Sequence, residues 1–359
     1  MNKFETQVLT TYDELEALED EWNKLIDEDT GAHPYQTHAW QLAWWGVYGE
    51  AAALRLILVT RKDSDELVAI FPMYIAKQIV EKVRITSLEF IGTRDYTCDY
   101  AAPILSSQLS DKERSEIFDL TFSLFSEAPL IQLSNIRDDS PYFEFLNKLS
   151  YAHTAVPYHA WSTKIDMNDP EAIPNRGSTH KILKRYRKAG KPLVQHFRTA
   201  EEILPLLDTF FEQHNQRWKP IVGESQFEDP KQRELFTAFV KALCPNGNLV
   251  FSALWIDENL LAAHFGYLFR RRFYWYKPSY NPEFRKLSPG KLLLAEVYRY
   301  AAQETAKVFD FTIGDEEYKA PFTETKTNMY RFRIPQSLLV RGYLNGFEAL
   351  RSMKRSLVK

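Results

Sequence analysis

The sequence predicts a mixed α/β protein with two domains that share one order of strands and helices. The chain has 359 residues, which exceeds what a single hydrophobic core usually organises. Its 45% hydrophobic content is enough to form large cores. Short alternating segments are interspersed with segments that carry apolar residues at helical spacing, and this order returns in the second half.

In the first half, Thr11 stands before a helix-periodic segment, 12–26, and we expect its hydroxyl to cap that helix. An aromatic helix follows over 37–47. The polar turn 62–66 between two apolar segments predicts a β-hairpin. Strands are predicted over 4–10, 54–60, 67–74, 85–91 and 130–133, and a third helix over 111–126.

The second half predicts a strand, two helices, three strands, a helix and further strands. Strands are expected over 193–198, 249–256, 260–270, 272–277, 308–313, 330–334 and 337–340, and helices over 201–218, 236–243 and 291–306. We therefore divide the chain into a first domain over 1–165, a basic linker helix over 166–192 and a second domain over 193–359. The linker is either a solvated helix or a cationic surface that attracts a phosphate-bearing donor.

Bulk properties exclude several classes of protein. The 45 Lys and Arg residues nearly balance 48 Asp and Glu residues, so no global charge favours nucleic acid, and we expect no DNA partner. Cys98 and Cys244 form no metal-binding pattern, and we expect two reduced thiols and no metal. The chain has neither the pattern of a signal peptide nor an apolar segment of membrane length. The simplest expectation is a soluble cytoplasmic protein.

A basic turn before the predicted helix 291–306 is the strongest functional signal. A helix amino terminus offers unpaired N–H groups and the positive end of its dipole, which suits a phosphate. Pro289 favours a tight entry into the helix. The predicted donor-binding residues of this turn are Arg285, Lys286, Ser288, Gly290 and Lys291.

The segment 276–319 resembles a motif of one known family. It carries "SPGK", a helix, then "DFTIGDEEYK". This pattern is similar to the tandem GNAT-like (N-acetyltransferase-like) family of bacterial cellulose and exopolysaccharide biosynthesis proteins, which is related to the Fem-type transferases. The resemblance implies two tandem acetyltransferase-like domains, the first degenerate, each with a mostly antiparallel sheet flanked by helices.

The resemblance also implies an activity, the transfer of an acyl group from acetyl-CoA or another acyl-CoA to an amine or hydroxyl. The acceptor would be a small molecule or saccharide of polysaccharide or cell-envelope biosynthesis, and an association with membrane biosynthetic machinery stays open. Two alternatives remain. Fem-type relatives use aminoacyl-tRNA, although no coiled-coil arm of the kind some of them carry is visible here. A non-catalytic scaffold in exopolysaccharide assembly is the other.

Acyl transfer needs a base, an oxyanion donor and a group that steadies the leaving thiolate. Asp315 or His264 could be the base, the backbone of the strand 274–276 the oxyanion donor, and Tyr318 or Lys319 the thiolate partner. Tyr276 is also expected to orient the thioester. Each role has a structural alternative, such as an interior histidine, aromatic packing or a surface ion pair.

Further aromatic and acidic residues are predicted to bind the acceptor. The "HPYQTHAW" and "GTRDYTCDY" segments resemble elements of the same family, and "RW" closes the helix 201–218. Core packing for the tryptophans and turn formation for the aspartates are the competing interpretations. The predicted acceptor-binding residues are Trp40, Asp95, Tyr96, Asp99, Trp218 and Tyr280.

Overall fold

The computed structural model describes residues 3–93, 97–149, 153–171, 174, 181–182, 186 and 191–357. The strands are β1 Phe4–Leu9, β2 Ala53–Arg61, β3 Leu67–Val80, β4 Val83–Phe90, β5 Ile104–Leu105, β6 Leu130–Arg137, β7 His153–Lys164, β8 Pro192–Phe197, β9 Leu249–Ile256, β10 Asn259–Phe269, β11 Arg272–Tyr280, β12 Val308–Ile313 and β13 Thr325–Pro335. The α-helices are α1 Tyr12–Glu16, α2 Glu19–Glu28, α3 His38–Tyr48, α4 Asp111–Phe122, α5 Pro141–Asn147, α6 Ala200–Ile203, α7 Leu207–Val222, α8 Pro230–Leu243, α9 Pro289–Gln303 and α10 Leu338–Leu357.

The chain forms two compact units. Unit 1 comprises Met1–Pro157 and Asn328–Lys359, and unit 2 comprises Tyr158–Thr327. The predicted division at 165 and 193 differs from this, because it assigned everything after 193 to the second domain. β13 returns to unit 1, where it pairs with β6, and Leu344 of α10 packs there against a cluster of Val80, Ile85 and Leu130.

The two units repeat one topology, which confirms the predicted fold class. Unit 1 has the strand order β1-β2-β3-β4-β6-β13, and unit 2 has the order β8-β9-β10-β11-β12-β7. In each unit the first four strands are antiparallel, the fifth is parallel to the fourth, and the sixth is antiparallel to the fifth. A helix, α4 or α9, connects the two parallel strands, since a parallel pair needs a crossover.

Local signals explain where several helices begin. Thr11 caps α1, as the sequence predicted, and it also forms a capping box with Glu14. Ser110 and Glu113 form the same box at α4. The segment predicted as one helix over 12–26 is instead two, because α1 ends at Glu16 and α2 begins at Glu19.

The largest error concerns the carboxyl terminus. The strand predicted over 337–340 is wrong, because Leu338 begins the 20-residue helix α10. Leu344 is buried on its inner face, and the hydroxyl of Tyr343 donates to the carbonyl of Glu81. Tertiary packing of that face stabilises a helix where a short apolar segment allowed either structure.

Two further expectations concern the linker and membranes. Lys181 and Lys191 of the predicted basic helix are exposed, whereas His180, Lys184, Arg185, Arg187 and Lys188 lie outside the described residues. In the part of the chain that the structure describes, no helix is both long and apolar enough to cross a membrane.

Candidate active site

The candidate site lies in unit 2, where the parallel strands β11 and β12 separate. Their pairing covers Arg272–Tyr274 against Val308–Asp310 and ends there. Thr312 then adopts φ +56°, which is a rare conformation for a β-branched residue and kinks β12. The buried Asp310 carboxylate accepts hydrogen bonds from the Thr312 N–H at 2.8 Å and from the partly exposed Arg272 guanidinium at 3.0 Å, and these two bonds hold the irregular segment of β12. This Asp310–Arg272 pair was not predicted from the sequence.

A β-bulge in β11 lies next to the point of separation. Phe265 pairs with Lys277 and Tyr267 with Tyr274, so two residues of β11 face the single Gly266. His264 fills this irregularity, because its Nε2 accepts the N–H of Tyr276 at 3.1 Å. A Cβ at Gly266 would lie 2.1 Å from the His264 ring, so the glycine makes room for the imidazole. The predicted oxyanion donor at Tyr276 therefore already has an intramolecular partner.

His264 itself is completely buried and stacks on Trp275 with ring centroids 4.1 Å apart. Burial, followed by the nearby charge of His196, lowers its pKa well below the usual value. Because its Nε2 accepts a hydrogen bond and its ring is neutral, His264 supports the bulge. This geometry favours the structural interpretation of His264 over its predicted role as a base.

The predicted phosphate-binding turn forms the start of α9. Ser288 has φ +57° at the N-cap and its side chain makes no capping hydrogen bond, so no hydroxyl covers the first turn. Arg285, Lys286 and Lys291 are exposed around it. A Cβ at Gly290 would find only the Tyr280 ring, at 3.7 Å, in ordinary van der Waals contact. These residues are brought together as the sequence predicted, and Tyr280 adjoins them.

The loop 314–319 follows β12 and will be called the acidic loop. Lys319 is almost fully buried, and its Nζ donates to the carbonyls of Ile313 at 2.9 Å and Gly314 at 3.2 Å. The same ammonium pairs with Glu316 at 2.9 Å. Lys319 thus fixes the loop on the end of β12, which favours a structural contribution beside the predicted catalytic one.

Tyr318 connects the acidic loop to β11. The indole N–H of Trp275 donates to the Tyr318 hydroxyl at 3.1 Å. Burial raises the pKa of Tyr318, with a further contribution from Glu316, and the positive charge of Arg217 opposes it. The phenol is therefore a neutral proton donor at ordinary pH, as a partner for a leaving thiolate must be.

At the other end of the acidic loop, Asp315 contacts β7. Its carboxylate lies 2.8 Å and 3.0 Å from Nδ1 of His159 and accepts the indole N–H of Trp161 at 3.1 Å. Partial burial opposes ionisation of Asp315, but the hydrogen bonds from His159 and Trp161 outweigh it and lower the carboxyl pKa. Neither His159 nor Trp161 was among the predicted site residues.

α7 contributes an arginine to the same region. Arg217 donates to the carbonyl of Pro278 at 2.8 Å and lies over the rings of Trp218 and Tyr280, 5.0 Å and 4.9 Å from their centroids. Glu212 of the same helix is exposed, whereas His214 is buried. The predicted residues Trp218 and Tyr280 therefore share a cationic neighbour.

The predicted acceptor residues of unit 1 have different environments. Trp40 is fully buried in α3 and packs on Gly92, where an added Cβ would lie 2.3 Å from its ring. Asp99 is also buried. Asp95 and Tyr96 lie outside the described residues. The surroundings of Trp40 favour the core-packing interpretation.

Residues 175–320 match the family model described as an acetyltransferase (GNAT) domain. The whole chain is similar in structure to FemX, with a TM-score of 0.62 and 12% identity over 92% of this chain and 97% of that one. A conserved protein from Bacteroides thetaiotaomicron gives a TM-score of 0.57 and 11% identity over 91% and 100% of the two chains. A tandem GNAT protein from the clavulanic acid biosynthesis pathway gives a TM-score of 0.52 and 10% identity over 93% and 99%.

These likenesses define the fold, a tandem GNAT-type architecture with a GNAT-type domain in the second half. No curated protein sequence matches the chain. Among the described residues no group of His, Cys, Asp and Glu is arranged to hold a metal ion.

Proposed function

We propose that unit 2 transfers an acyl group from an acyl-coenzyme A to an amine or hydroxyl acceptor. The observation that carries the proposal is the separation of β11 from β12 beside an uncapped first turn of α9. The open edge of β11 suits the amide-rich arm of coenzyme A, and the helix terminus suits its phosphates. The resemblance adds the acceptor class, a saccharide or other precursor of polysaccharide or cell-envelope biosynthesis, and an association with membrane biosynthetic machinery.

The residues of the site match the needs of the reaction. The Lys291 ammonium, the Gly290 N–H and the positive end of the α9 dipole supply positive charge for the pyrophosphate. Tyr318 can protonate the thiolate as the carbon–sulfur bond breaks. Arg217, over the rings of Trp218 and Tyr280, provides a cation for a phosphate or carboxylate of the donor or acceptor.

The start of α9 allows a direct binding test. Gly290 has room for a side chain, so Gly290→Ala should bind coenzyme A nearly as wild type does. Gly290→Glu places a carboxylate where the phosphates would lie, while a negative charge at this terminus stabilises the helix itself. Calorimetric titration with acetyl-CoA should show at least about tenfold weaker binding for Gly290→Glu, roughly 1.4 kcal/mol. Equal affinity of the two folded variants would contradict donor binding at this turn.

A second candidate function is Fem-type transfer from aminoacyl-tRNA. It is supported by the structural similarity to FemX, which extends over 97% of that chain. Thermal-shift measurements with acetyl-CoA, longer acyl-CoA and charged tRNA separate the candidates, because a ligand that binds the folded state raises the melting temperature. A shift with charged tRNA alone would favour the second candidate, and no shift with any donor would favour a scaffold.

A further inference from the structure

We propose that His159 is the general base of this site and that Asp315 positions it, so that Nε2 of His159 takes the proton of the acceptor. The proposal rests on the proposed acyl transfer and adds a catalytic residue to it. The acceptor class that it fits is a neutral hydroxyl or amine whose proton must be removed during attack.

The His159–Asp315 pair has the geometry of a positioned base. Both carboxylate oxygens of Asp315 lie near Nδ1 of His159, at 2.8 Å and 3.0 Å. An ionised carboxylate only accepts hydrogen bonds, so neutral His159 carries its proton on Nδ1 and presents a lone pair at Nε2. Nε2 has no hydrogen-bond partner among the described residues, and the His159 side chain is 24% exposed.

The backbone fixes this pair. The N–H of Gly314 donates to the carbonyl of His159 at 2.9 Å, and Gly314 turns the chain with φ +121°. The next residue, Asp315, is thereby directed toward the imidazole of β7. The indole of Trp161 donates to the same carboxylate, which limits its rotation. Such a preorganised carboxylate–histidine pair is the usual means of orienting a catalytic imidazole.

Charge and competing bases also bear on His159. Lys326 is a second charged group near this pair. Its ammonium lies 5.4 Å from the Trp161 ring centroid, and its charge helps to lower the pKa of Asp315. His264 uses its Nε2 to accept from Tyr276, and the Lys319 ammonium is bound by the acidic loop. His264 is completely buried and the Lys319 side chain is 4% exposed, whereas the His159 side chain is 24% exposed and the lone pair of its Nε2 is not used.

The proposed step balances in atoms and charge. The acceptor oxygen or nitrogen attacks the thioester carbonyl carbon as its proton moves to Nε2 of His159. The carbon–sulfur bond then breaks, and the sulfur leaves as a thiolate. The thiolate takes a proton either directly from the imidazolium or from the Tyr318 hydroxyl. In the second case the imidazolium then returns a proton to the phenolate of Tyr318. The products are the acylated acceptor and free coenzyme A, and His159 is again neutral.

The pair can be tested without a substrate by NMR titration of the histidine ring nitrogens. We expect neutral His159 to carry its proton on Nδ1 in wild type, and Asp315→Asn to reduce the population of this tautomer. Glu317→Gln, which removes an exposed carboxylate of the same loop, is the matched control and should leave the tautomer unchanged. A proton on Nε2, or equal effects of the two variants, would overturn the proposal.

Thiol release from acetyl-CoA, with water as the probe acceptor, tests the catalytic role. His159→Gln should slow release about a hundredfold while acetyl-CoA binds with unchanged affinity, and Asp315→Glu should restore part of the loss seen in Asp315→Asn. If His159→Gln binds acetyl-CoA and releases the thiol at the wild-type rate, His159 is not the base. If wild type does not bind acetyl-CoA, the proposed function fails, and the NMR titration alone decides on the pair.

Discussion

Replacing Lys319 with methionine tests whether this residue holds the acidic loop. The Lys319 side chain is 4% exposed, and its ammonium contacts two carbonyl oxygens and the Glu316 carboxylate. Methionine keeps the length and apolar volume of the side chain but removes the charge. The sequence alone suggested a catalytic role for Lys319. The burial now predicts a loss of stability.

The magnitude follows from the contacts. A hydrogen bond from a charged donor contributes about 1.5–3 kcal/mol, and Lys319→Met removes two of them. The Glu316 side chain is 39% exposed, so water solvates it after the change and its ion pair adds less than about 1 kcal/mol. We expect the free energy of unfolding to fall by roughly 3–7 kcal/mol, equivalent to a fall in melting temperature of about 6–28 °C.

The assay is thermal and urea unfolding of wild type and two variants. Lys241→Met, at an exposed position of α8, is the matched control and should change the melting temperature by less than about 2 °C. If Lys319→Met unfolds at the same temperature as this control, the buried contacts of Lys319 do not stabilise unit 2, and our reasoning is refuted.

Three further predictions concern other buried groups. Burial, aided by nearby positive charges, lowers the pKa of His214 to about 3 from an ordinary 6.5, so the unfolded state takes up its proton first. Stability therefore falls as the pH drops below 6.5, by roughly 2 kcal/mol at pH 5, and urea unfolding of His214→Asn should show a shallower fall. Gly92→Ala should lower the free energy of unfolding in urea by more than about 2 kcal/mol, because φ of Gly92 is +85° and the new Cβ would meet the Trp40 ring. The control Gly46→Ala, where a new Cβ meets nothing within 4 Å, should leave the free energy of unfolding unchanged or raise it. His264→Leu should lower the free energy of unfolding in urea by about 1–3 kcal/mol, because the bulge N–H loses its buried acceptor.

Most strands and helices follow from local chemistry, and the sequence predicted them to within a few residues. The hairpin of β2 and β3 was expected from its polar turn, and β3 continues to Val80 because it pairs with β4 beyond the predicted end. The exchange of β7 and β13 between the two halves of the chain was not predicted. Strand pairing between residues far apart leaves no local signal in a single sequence.

The candidate site was predicted in part for the same reason. The start of α9 is a local feature, so its basic residues and Gly290 could be identified from a short segment. His159 could not, because its contact with Asp315 joins residues 156 positions apart. The β-branched and aromatic residues of β7 were the available signal for its strand. A strand prediction there would have placed His159 next to β12 only if the pairing was already known.

The central claim is that the donor binds between the separated strands and the start of α9. Hydrogen–deuterium exchange with and without acetyl-CoA is the most direct test of this claim. We expect acetyl-CoA to slow exchange in the first turn of α9, from Gly290 to Leu292, and in β11 around Trp275, because bound donor would cover these segments and stabilise them. The interior strand β9 should be unaffected. No change in α9 and β11 at ligand concentrations that raise the melting temperature, or protection confined to other segments, would contradict the claim.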